Sequence, residues 1–481
     1  MQSVAESLER LGDLARTPSV ARLADAFQAV GHELALVGGP VRDALLGRAV
    51  HDLDFTTDAR PDDIVRVVGP IADAIWDVGR KYGTIGARLG DDTVEITTYR
   101  SDSYDGTTRK PEVEFGDTLE GDLLRRDFTV NALALRLPEV RLVDPSGGVE
   151  DLIAGVITTP SSPQISFGDD PLRMMRAGRF TAQLGFTVDE ATREAMSSMA
   201  DRIEIVSAER VRDELSKLLI ADEPRRGLEL LVETGLADEV IPEIPALRLE
   251  ADEHHHHKDV YQHSLTVLEQ AIQGEHRLPS RPDLVNRLAA LLHDVGKPAT
   301  RKFEAGGKVS FHHHDVVGAK LVRKRLTALR FSSDEVKAVA ELVFLHLRFH
   351  GYGDPDGRGG QWTDSAVRRY VRDAGDQLAR LHILTRADCT TRNQAKAMRL
   401  RAAYDDLEAR IDALAEAEEL GAMRPDLNGE QIMAILGIPP GRDVGRAYAF
   451  LLERRIDDGP LGAERAREEL LTWWRDHAAG W

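Results

Sequence analysis

The sequence predicts an α/β (α+β) domain at the front of the chain and an all-helical remainder, on three observations. Up to about residue 160, β-rich runs such as ELALV (33–37), VEITTY (94–99) and VRLVD (140–144) alternate with helical stretches and Gly/Asp turns. The stretch TTPSSPQISFGDDP (158–171) reads as a Pro/Ser/Gly linker, and beyond it strand signals nearly vanish. From Pro171 onward, apolar residues recur at three- and four-residue spacing in 172–184, 206–220, 226–236, 263–274, 284–293 and 334–347. Breaks at 241–245, 351–360 and 424–429 divide this helical part. A length of 481 residues suits three or four domains at ~150 residues each.

Charge narrows the function classes. With 62 Lys/Arg against 81 Asp/Glu the net charge is −19, which excludes a small basic protein that coats nucleic acid by electrostatics alone. A nucleic-acid site has to be a local basic surface, and two runs qualify. Residues 287–331 carry ten Lys/Arg against three Asp/Glu, and residues 365–401 carry nine against three. Taken alone, each run reads better as a solvated helix face. The single cysteine, Cys389, excludes a disulfide framework and a Cys-based zinc site and fits a reducing compartment. No apolar run approaches the ~18 residues of a membrane span. The first sixteen residues include acidic side chains and no apolar core, so neither a secretory signal nor a membrane partner is expected. The expected location is the cytoplasm.

In ELALVGGPVRDALLGR (33–48) a strand leads through a Gly-Gly turn into a short helix. Gly38 and Gly39 let the backbone approach a ligand closely, and Pro40 suits the first helical position. Backbone N–H groups and the positive helix end then point at one spot, a cradle for phosphates. Arg42 in the first turn would pair with a phosphate oxygen, with Asp43 fixing it. Next comes HDLDFTTDA (51–59), where Asp52 and Asp54 are two apart in an apolar-flanked strand and project from one face. Two such carboxylates repel unless a cation neutralises them. In-line phosphoryl chemistry uses two Mg²⁺ ions ~3.5–4 Å apart for this purpose.

This block resembles the head motif of the class II tRNA nucleotidyltransferase/poly(A) polymerase family, within the polymerase-beta-like superfamily. The similarity continues in register through GRKYGTIGARLGDDTVEITTYR (79–100), where Glu95 is either a third metal carboxylate or an Arg partner. It extends through 100–115, like that family's flexible loop, and through GDLLRRDFTVNALAL (121–135), like its R-R-D-F-T-x-N-A motif. The resemblance implies Arg126 and Asp127 as a functional pair and Asn131 as a ribose contact. Arg125 and Arg126 would bind triphosphate or couple the head to the next domain. VDPSGGVEDL (143–152) would close the head through Asp144 and Asp151. The family likeness implies Mg²⁺ at Asp52 and Asp54 and CTP, ATP and tRNA as partners, with no DNA expected.

In DDPLRMMRAGRFTAQLGF (169–186), Asp170, Arg173, Arg176 and Arg179 recur at three-residue steps along one side of a helix that starts at Pro171. An Asp accepts from the amino group of C or A, and an Arg donates to ring N and O atoms. The stretch resembles the family's E-D-x-x-R base-reading motif, with Asp169 in place of the Glu. That likeness implies Asp170 and Arg173 as the reading pair, Asp169 orienting Arg173, and Arg176 and Arg179 near the nucleotide. Glu209, Arg210 and Arg212 in SAERVRDELSKLL (207–219) would brace this helix.

The third region is rich in histidine. His254–His257 form an internal run that reads as a loop; better ligands are His263, His293 and Asp294 in LLHDVGKP, His314 in FHHHD, His346 in LVFLHLRFH and Asp388 in LTRADC. Imidazole and carboxylate spread over several helices suit Mg²⁺, Mn²⁺ or Ni²⁺ rather than structural zinc. The order H…HD…H…H…D resembles the HD phosphohydrolase superfamily. It implies a first metal at His263, His293, Asp294 and Asp388, and a second metal or a phosphate at His314 and His346. Such a site would hydrolyse phosphomonoesters or 2′,3′-cyclic phosphates; the alternative is a helical platform that holds RNA. The end of the chain, 426–459, reads as a helical hairpin around Gly441 and Gly445 and resembles the tail that follows HD modules in this family.

The expected partition is a nucleotidyltransferase head over 1–160, a helical neck over 161–250, an HD-type domain over 251–395 and a tRNA-binding tail over 396–481. The expected activity is template-independent addition of C, C and A to tRNA, with pyrophosphate released. A poly(A) polymerase, or a partial enzyme adding only CC or A, would share the catalytic residues. The 79–100 region and the full-length loop at 100–115 favour the complete activity. From other classes, an HD phosphohydrolase with a degenerate head conflicts with the intact D-x-D and R-R-D. A pure RNA-binding module leaves the paired carboxylates and the His/Asp set unexplained.

Overall fold

The computed structural model describes residues 4–50, 52–100, 116, 118–249, 259–304, 309–349, 352, 362–389, 394–418 and 424–477. The loop expected over 100–115 beyond Arg100, apart from Gly116, and the His254–His257 run lie outside these residues. The chain forms two compact units that divide after Pro242.

In the first unit, α1 (Val4–Ala15) and α2 (Pro18–Ala29) precede a seven-stranded sheet built from β1 (Leu34–Val37), β2 (Leu53–Thr57), β3 (Ala74–Trp76), β4 (Thr84–Leu89), β5 (Asp92–Thr98), β6 (Ala134–Leu137) and β7 (Arg141–Val143). Helices α3 (Gly39–Leu46), α4 (Pro61–Val68) and α5 (Leu119–Leu124) interrupt the strands, and α6 (Gly148–Ala154) follows them. Strand order is β3-β4-β5-β2-β1-β6-β7. Neighbours are antiparallel except β2 and β5, which run parallel. All four residues of β1 are buried, as a strand near the centre of a covered sheet requires. Along β5, buried Val94, Ile96 and Thr98 alternate with Glu95 and Thr97, so one face packs inward and the other carries polar groups.

The neck follows as β8 (Val156–Ile157), α7 (Pro163–Asp169), α8 (Leu172–Leu184), β9 (Thr187–Val188), α9 (Glu190–Ser198), α10 (Ala208–Leu219), α11 (Pro224–Glu233) and α12 (Leu236–Val240). The stretch expected as a linker therefore contains a helix. Ser162 caps α7 by accepting from Ile165 N, and Pro163 occupies the first turn, two start signals that outweigh the loop-like composition. Helix α8 packs on α10 and α11. At one crossing Gly178 and Gly227 bring the backbones so close that a Cβ on Gly227 would lie 2.4 Å from the Gly178 carbonyl oxygen.

The second unit comprises α13 (Val260–Gly274), α14 (Leu284–Leu292), α15 (Lys297–Thr300), a short hairpin of β10 (Lys302–Phe303) and β11 (Val309–Ser310), α16 (His314–Ala328), α17 (Ser333–Leu345), α18 (Asp364–Ala374), α19 (Leu378–Asp388), α20 (Gln394–Glu418), α21 (Gly429–Leu436), α22 (Arg442–Asp458) and α23 (Ala463–His477). Helices α13, α14 and α19 pack together, α17 packs on α14, and α16 pairs with α17. Much of the basic run at 365–401 is neutralised internally. Arg369 pairs with Asp457, Arg372 with Glu453 at 2.8 Å, Arg380 with Asp283 at 2.7 Å and Arg386 with Glu408 at 3.0 Å. In the other run, Lys320, Arg323 and Lys324 of α16 are exposed.

The Gly178–Gly227 crossing sets a test of the neck packing. Gly227→Ala forces a methyl against a backbone oxygen that cannot turn aside, which overpacks the crossing by about 1–3 kcal/mol. The expected outcome is a melting temperature several degrees lower by calorimetry; an unchanged value contradicts the close approach.

Candidate active sites

The cradle forms where β1 ends. Gly38 has φ +74° and ψ −128°, a conformation open essentially to glycine. A Cβ there would also lie 2.9 Å from Arg126 Nη1, so the missing side chain serves both the turn and the approach of a guanidinium. Helix α3 starts immediately, with Pro40 in its first turn. Its N-terminal amides and Arg126 thus border one spot.

The carboxylates come from the neighbouring strands. Asp52 is exposed, one residue ahead of β2, and Asp54 is half-buried within it. The parallel register pairs Asp54 with Glu95 of β5, so both stand on the polar face of the sheet. Burial raises the Asp54 pKa above the usual carboxylate range; Arg126 opposes this, and the charges of Glu95 and Asp52 add to it. Like charges gathered in this way fit a divalent cation. Among the described residues Glu95 makes no ion pair, so the Arg-partner alternative has no contact behind it.

The R-R-D motif is divided between tasks. Arg126 sits 3.5 Å from Asp122. Asp127 is buried and turns to Arg176 of α8 at 2.7 Å, while its Oδ1 accepts from Asn131 Nδ2 at 3.1 Å and from Phe128 N at 2.8 Å. Burial pushes the Asp127 pKa up, but Arg176 and these donors hold it below the ordinary value. Asn131 in turn accepts from Arg42 Nη1 at 2.7 Å, and Arg42 also pairs with Asp43 at 2.9 Å. Both ends of the Asn131 amide are therefore engaged within the protein.

Asp170 lies on the connection between α7 and α8 rather than inside a helix. Its Oδ1 accepts from Leu172 N at 3.2 Å, and its Oδ2 pairs with Arg210 at 2.8 Å. Arg173 donates to Ser166 Oγ at 2.7 Å and to the Arg125 carbonyl at 2.6 Å. The expected reading pair is thus brought to one end of α8, and each member already has other partners. Arg179 is engaged within the neck: its side chain is nearly buried, against Glu214 at 2.6 Å and Gln183 Oε1 at 2.9 Å. Burial lowers its pKa despite Glu214. Glu214 and Asp122 escaped the sequence reading, because each is one acidic residue among several on a polar-looking helix.

In the second unit, four histidines and two aspartates converge in two triads, His263–His293–Asp388 and Asp294–His314–His346. Asp294 serves both: Oδ2 is 3.2 Å from His293 Nε2 and 3.6 Å from His263 Nε2, and Oδ1 is 3.3 Å from His314 Nε2. Asp388 Oδ1 is 2.9 Å from His263 Nε2 and 3.5 Å from His293 Nε2. Three Nδ1 atoms meet the backbone carbonyl three residues earlier: His293 at Ala290 (2.8 Å), His314 at Phe311 (2.8 Å) and His346 at Val343 (2.5 Å). Each Nδ1–H donates there, which leaves Nε2 free to act as a ligand. His314 Nε2 and His346 Nε2 face each other at 3.2 Å. Two neutral imidazoles so arranged oppose their lone pairs, and a shared cation between them removes the conflict.

Without metal, protons compete for the same lone pairs. Burial lowers the His293 pKa, but Asp294 and Asp388 outweigh it and raise it to about 10. His346, which burial dominates, falls to about 4. Lys297, which the sequence reading passed over, reaches Asp294 Oδ2 at 2.6 Å. Its position three residues after Asp294 was the available signal.

Gly38→Ala tests the cradle. Strain at this φ costs about 1–3 kcal/mol, and Arg126 has to retreat. The expected outcome is binding of a nucleoside triphosphate weakened about tenfold or more by calorimetry in the presence of Mg²⁺; unchanged affinity contradicts the cradle.

Three family models match the chain: the poly A polymerase head domain over residues 34–158, the probable RNA and SrmB-binding site of polymerase A over 185–247, and the HD domain over 260–393. Two curated relatives align along nearly their whole length. One is an A-adding tRNA nucleotidyltransferase of Deinococcus radiodurans, 35% identical over 93% of this chain and 96% of its own. The other is a CC-adding tRNA nucleotidyltransferase of Thermus thermophilus, 32% identical over 91% of this chain and 93% of its own. A CCA-adding enzyme of Bacillus subtilis is 40% identical over 44% of this chain and 52% of its own. Among solved structures, the Bacillus stearothermophilus CCA-adding enzyme in complex with CTP shares the fold with a TM-score of 0.65 at 24% identity, over 95% of this chain and 98% of that one. The Thermotoga maritima CCA-adding enzyme complexed with tRNA gives a TM-score of 0.60 at 18% identity, over 98% and 100%. With the head, RNA-binding and HD models in order along the sequence and full-length relatives above 30% identity, the chain belongs to the tRNA nucleotidyltransferase/poly(A) polymerase family.

Proposed function

We propose that this chain adds C, C and A to the 3′ end of tRNA from CTP and ATP, in the cytoplasm. The observation that carries the reading is the convergence of Asp52, Asp54 and Glu95 beside Arg126 and the Gly38 cradle. The tRNA 3′-oxygen attacks the α-phosphorus, a new P–O bond forms, the bond to the β-phosphate oxygen breaks, and pyrophosphate leaves. Asp52 and Asp54, with Glu95 as a third carboxylate, would hold Mg²⁺, which when bound would make the 3′-hydroxyl more acidic and neutralise the triphosphate. Arg126 and the α3 amides hold the phosphates. Asn131 holds Arg42 through its Oδ1, and the second N–H of its amide serves as the ribose contact. Asp170 and Arg173 read the base: the cytosine or adenine amino group takes the place of Arg210 on Asp170, and Arg173 donates to the ring acceptors. Arg176 positions Asp127, and Arg179 braces the helix. The four-part division into head (1–160), neck (161–250), HD domain (251–395) and tail (396–481) remains the working partition.

A second reading has its own observation. The two full-length relatives bear A-adding and CC-adding names, which favours a partial enzyme with the same catalytic residues. Purified chain incubated with tRNA lacking its last three nucleotides, and in parallel with tRNA ending in CC, decides between them. Two C residues from CTP alone and a complete CCA from CTP plus ATP support the first reading. Addition that stops at CC with both nucleotides present, or a single A confined to tRNA already ending in CC, supports the second. A long A tract indicates a poly(A) polymerase and contradicts both.

The histidine centre supports a further hydrolytic activity on phosphomonoesters or 2′,3′-cyclic phosphates. The two triads would hold Mg²⁺, Mn²⁺ or Ni²⁺, which when bound would supply Lewis-acid help to hydrolysis at phosphate. Lys297, beside Asp294, places a positive charge at the same spot.

Asp52→Ala and Asp54→Ala are each expected to lower nucleotide addition about a thousandfold or more, as loss of a central electrostatic group does, and to spare hydrolysis. His293→Ala with Asp294→Ala is expected to do the reverse and to reduce bound metal by elemental analysis. Loss of both activities in either variant contradicts two separate centres.

A further inference from the structure

Phe180, on α8, is 3% exposed, and three guanidiniums gather around its ring. Arg179 Cζ lies 4.0 Å from the ring centroid, Arg42 Cζ 5.4 Å and Arg176 Cζ 5.9 Å. Phe128, which follows Asp127 directly, meets the ring edge-on at 5.8 Å and 88°. Each arginine has its acidic partner in a different place: Asp43 on α3, Asp127 in the R-R-D motif and Glu214 on α10. Like charges this close repel, and a desolvated aromatic face is one of the few apolar surfaces that attracts all of them.

These contacts close a ring. A polar path runs from Arg42 through Asn131 and Asp127 to Arg176, and Phe180 joins Arg42 to Arg176 directly. One end lies in the first turns of the cradle helix; the other lies on α8 one turn beyond Arg173. Arg179, fixed by Glu214 and Gln183, anchors the ring from the third side. With two links between the same end points, a shift of Arg42 toward a phosphate would disturb both connections to the helix that carries Arg173. We propose, resting on the nucleotidyl-transfer reading of the head, that Phe180 is a positioning residue that couples triphosphate binding to base selection. It touches neither phosphate nor base.

The test uses the full chain and tRNA lacking its last three nucleotides. Phe180→Leu is expected to raise KM for CTP and ATP about tenfold, with a smaller change in kcat. It is also expected to lower the kcat/KM preference for CTP over UTP about tenfold. Phe180→Tyr, which keeps the ring, restores both. Combining Phe180→Leu with Asn131→Ala cuts both links and loses more than the product of the single losses. Phe180→Met, near in volume and without a ring, carries the same test if Phe180→Leu fails to fold. Calorimetric binding of CTP with Mg²⁺ reads the coupling without turnover. A lower melting temperature with wild-type KM, CTP affinity and CTP/UTP preference makes Phe180 a packing residue and overturns the proposal, as does failure of both ringless variants to fold. If the wild type binds CTP but adds nothing to tRNA, the reading of the head is at fault. In that case weaker CTP binding by Phe180→Leu still supports the coupling, and unchanged binding overturns it.

Discussion

The head depends on holding negative charges together that would rather separate. Asp54 and Glu95 are locked side by side by the register of a parallel strand pair, and Asp52 lies just ahead of the same strand. The opposite face of those strands, with Leu53, Phe55, Val94 and Ile96, is buried, and a one-residue slip would move the carboxylates into the core. Hydrophobic burial thus sets the position of the acids. Arg126 approaches the spot beside Gly38, whose missing side chain leaves room for the guanidinium, so a backbone conformation and a charge arrangement meet at one residue.

The two units handle crowded ligands differently. In the head, carboxylates crowd until a cation answers them. In the second unit, three imidazoles are fixed by hydrogen bonds to carbonyls three residues earlier, at or next to the ends of α14, α16 and α17. The last turns of α14 and α17 have unsatisfied carbonyls, and His293 and His346 each use one to set the tautomer; His314, at the start of α16, uses the Phe311 carbonyl ahead of that helix. The turn of each helix therefore aims Nε2 inward, and Asp294 divides its two oxygens between the resulting triads.

Much of this was legible in the sequence. The β-rich front, the helical remainder, the Gly-Gly turn and the D-x-D pair follow from local patterns, because spacing within one strand or helix fixes direction; the six His/Asp positions come from a chain-long order that resembles the HD superfamily. What escaped depends on contacts between distant segments. Arg210 is expected to brace the reading helix, but nothing near it shows that its partner is Asp170, forty residues earlier. The grouping of Asp294 with His314 and His346 is likewise set by packing. The 158–171 stretch read as a linker because Pro and Ser signal both loops and helix starts, and here they start α7. The basic run at 365–401 read as a solvated helix face or a candidate polyanion surface, and its internal pairing was hidden because the partners, Glu453, Asp457, Asp283 and Glu408, lie elsewhere in the chain.

The central claim is that the aspartates of β2 bind a divalent cation together with a nucleoside triphosphate. Anomalous scattering from crystals of the full chain grown with CTP and Mn²⁺ measures this directly. The account predicts a manganese peak bridging Asp52, Asp54 and the triphosphate, with the phosphates against the Gly38 turn. CTP bound in the head with manganese confined to the histidine triads would contradict it.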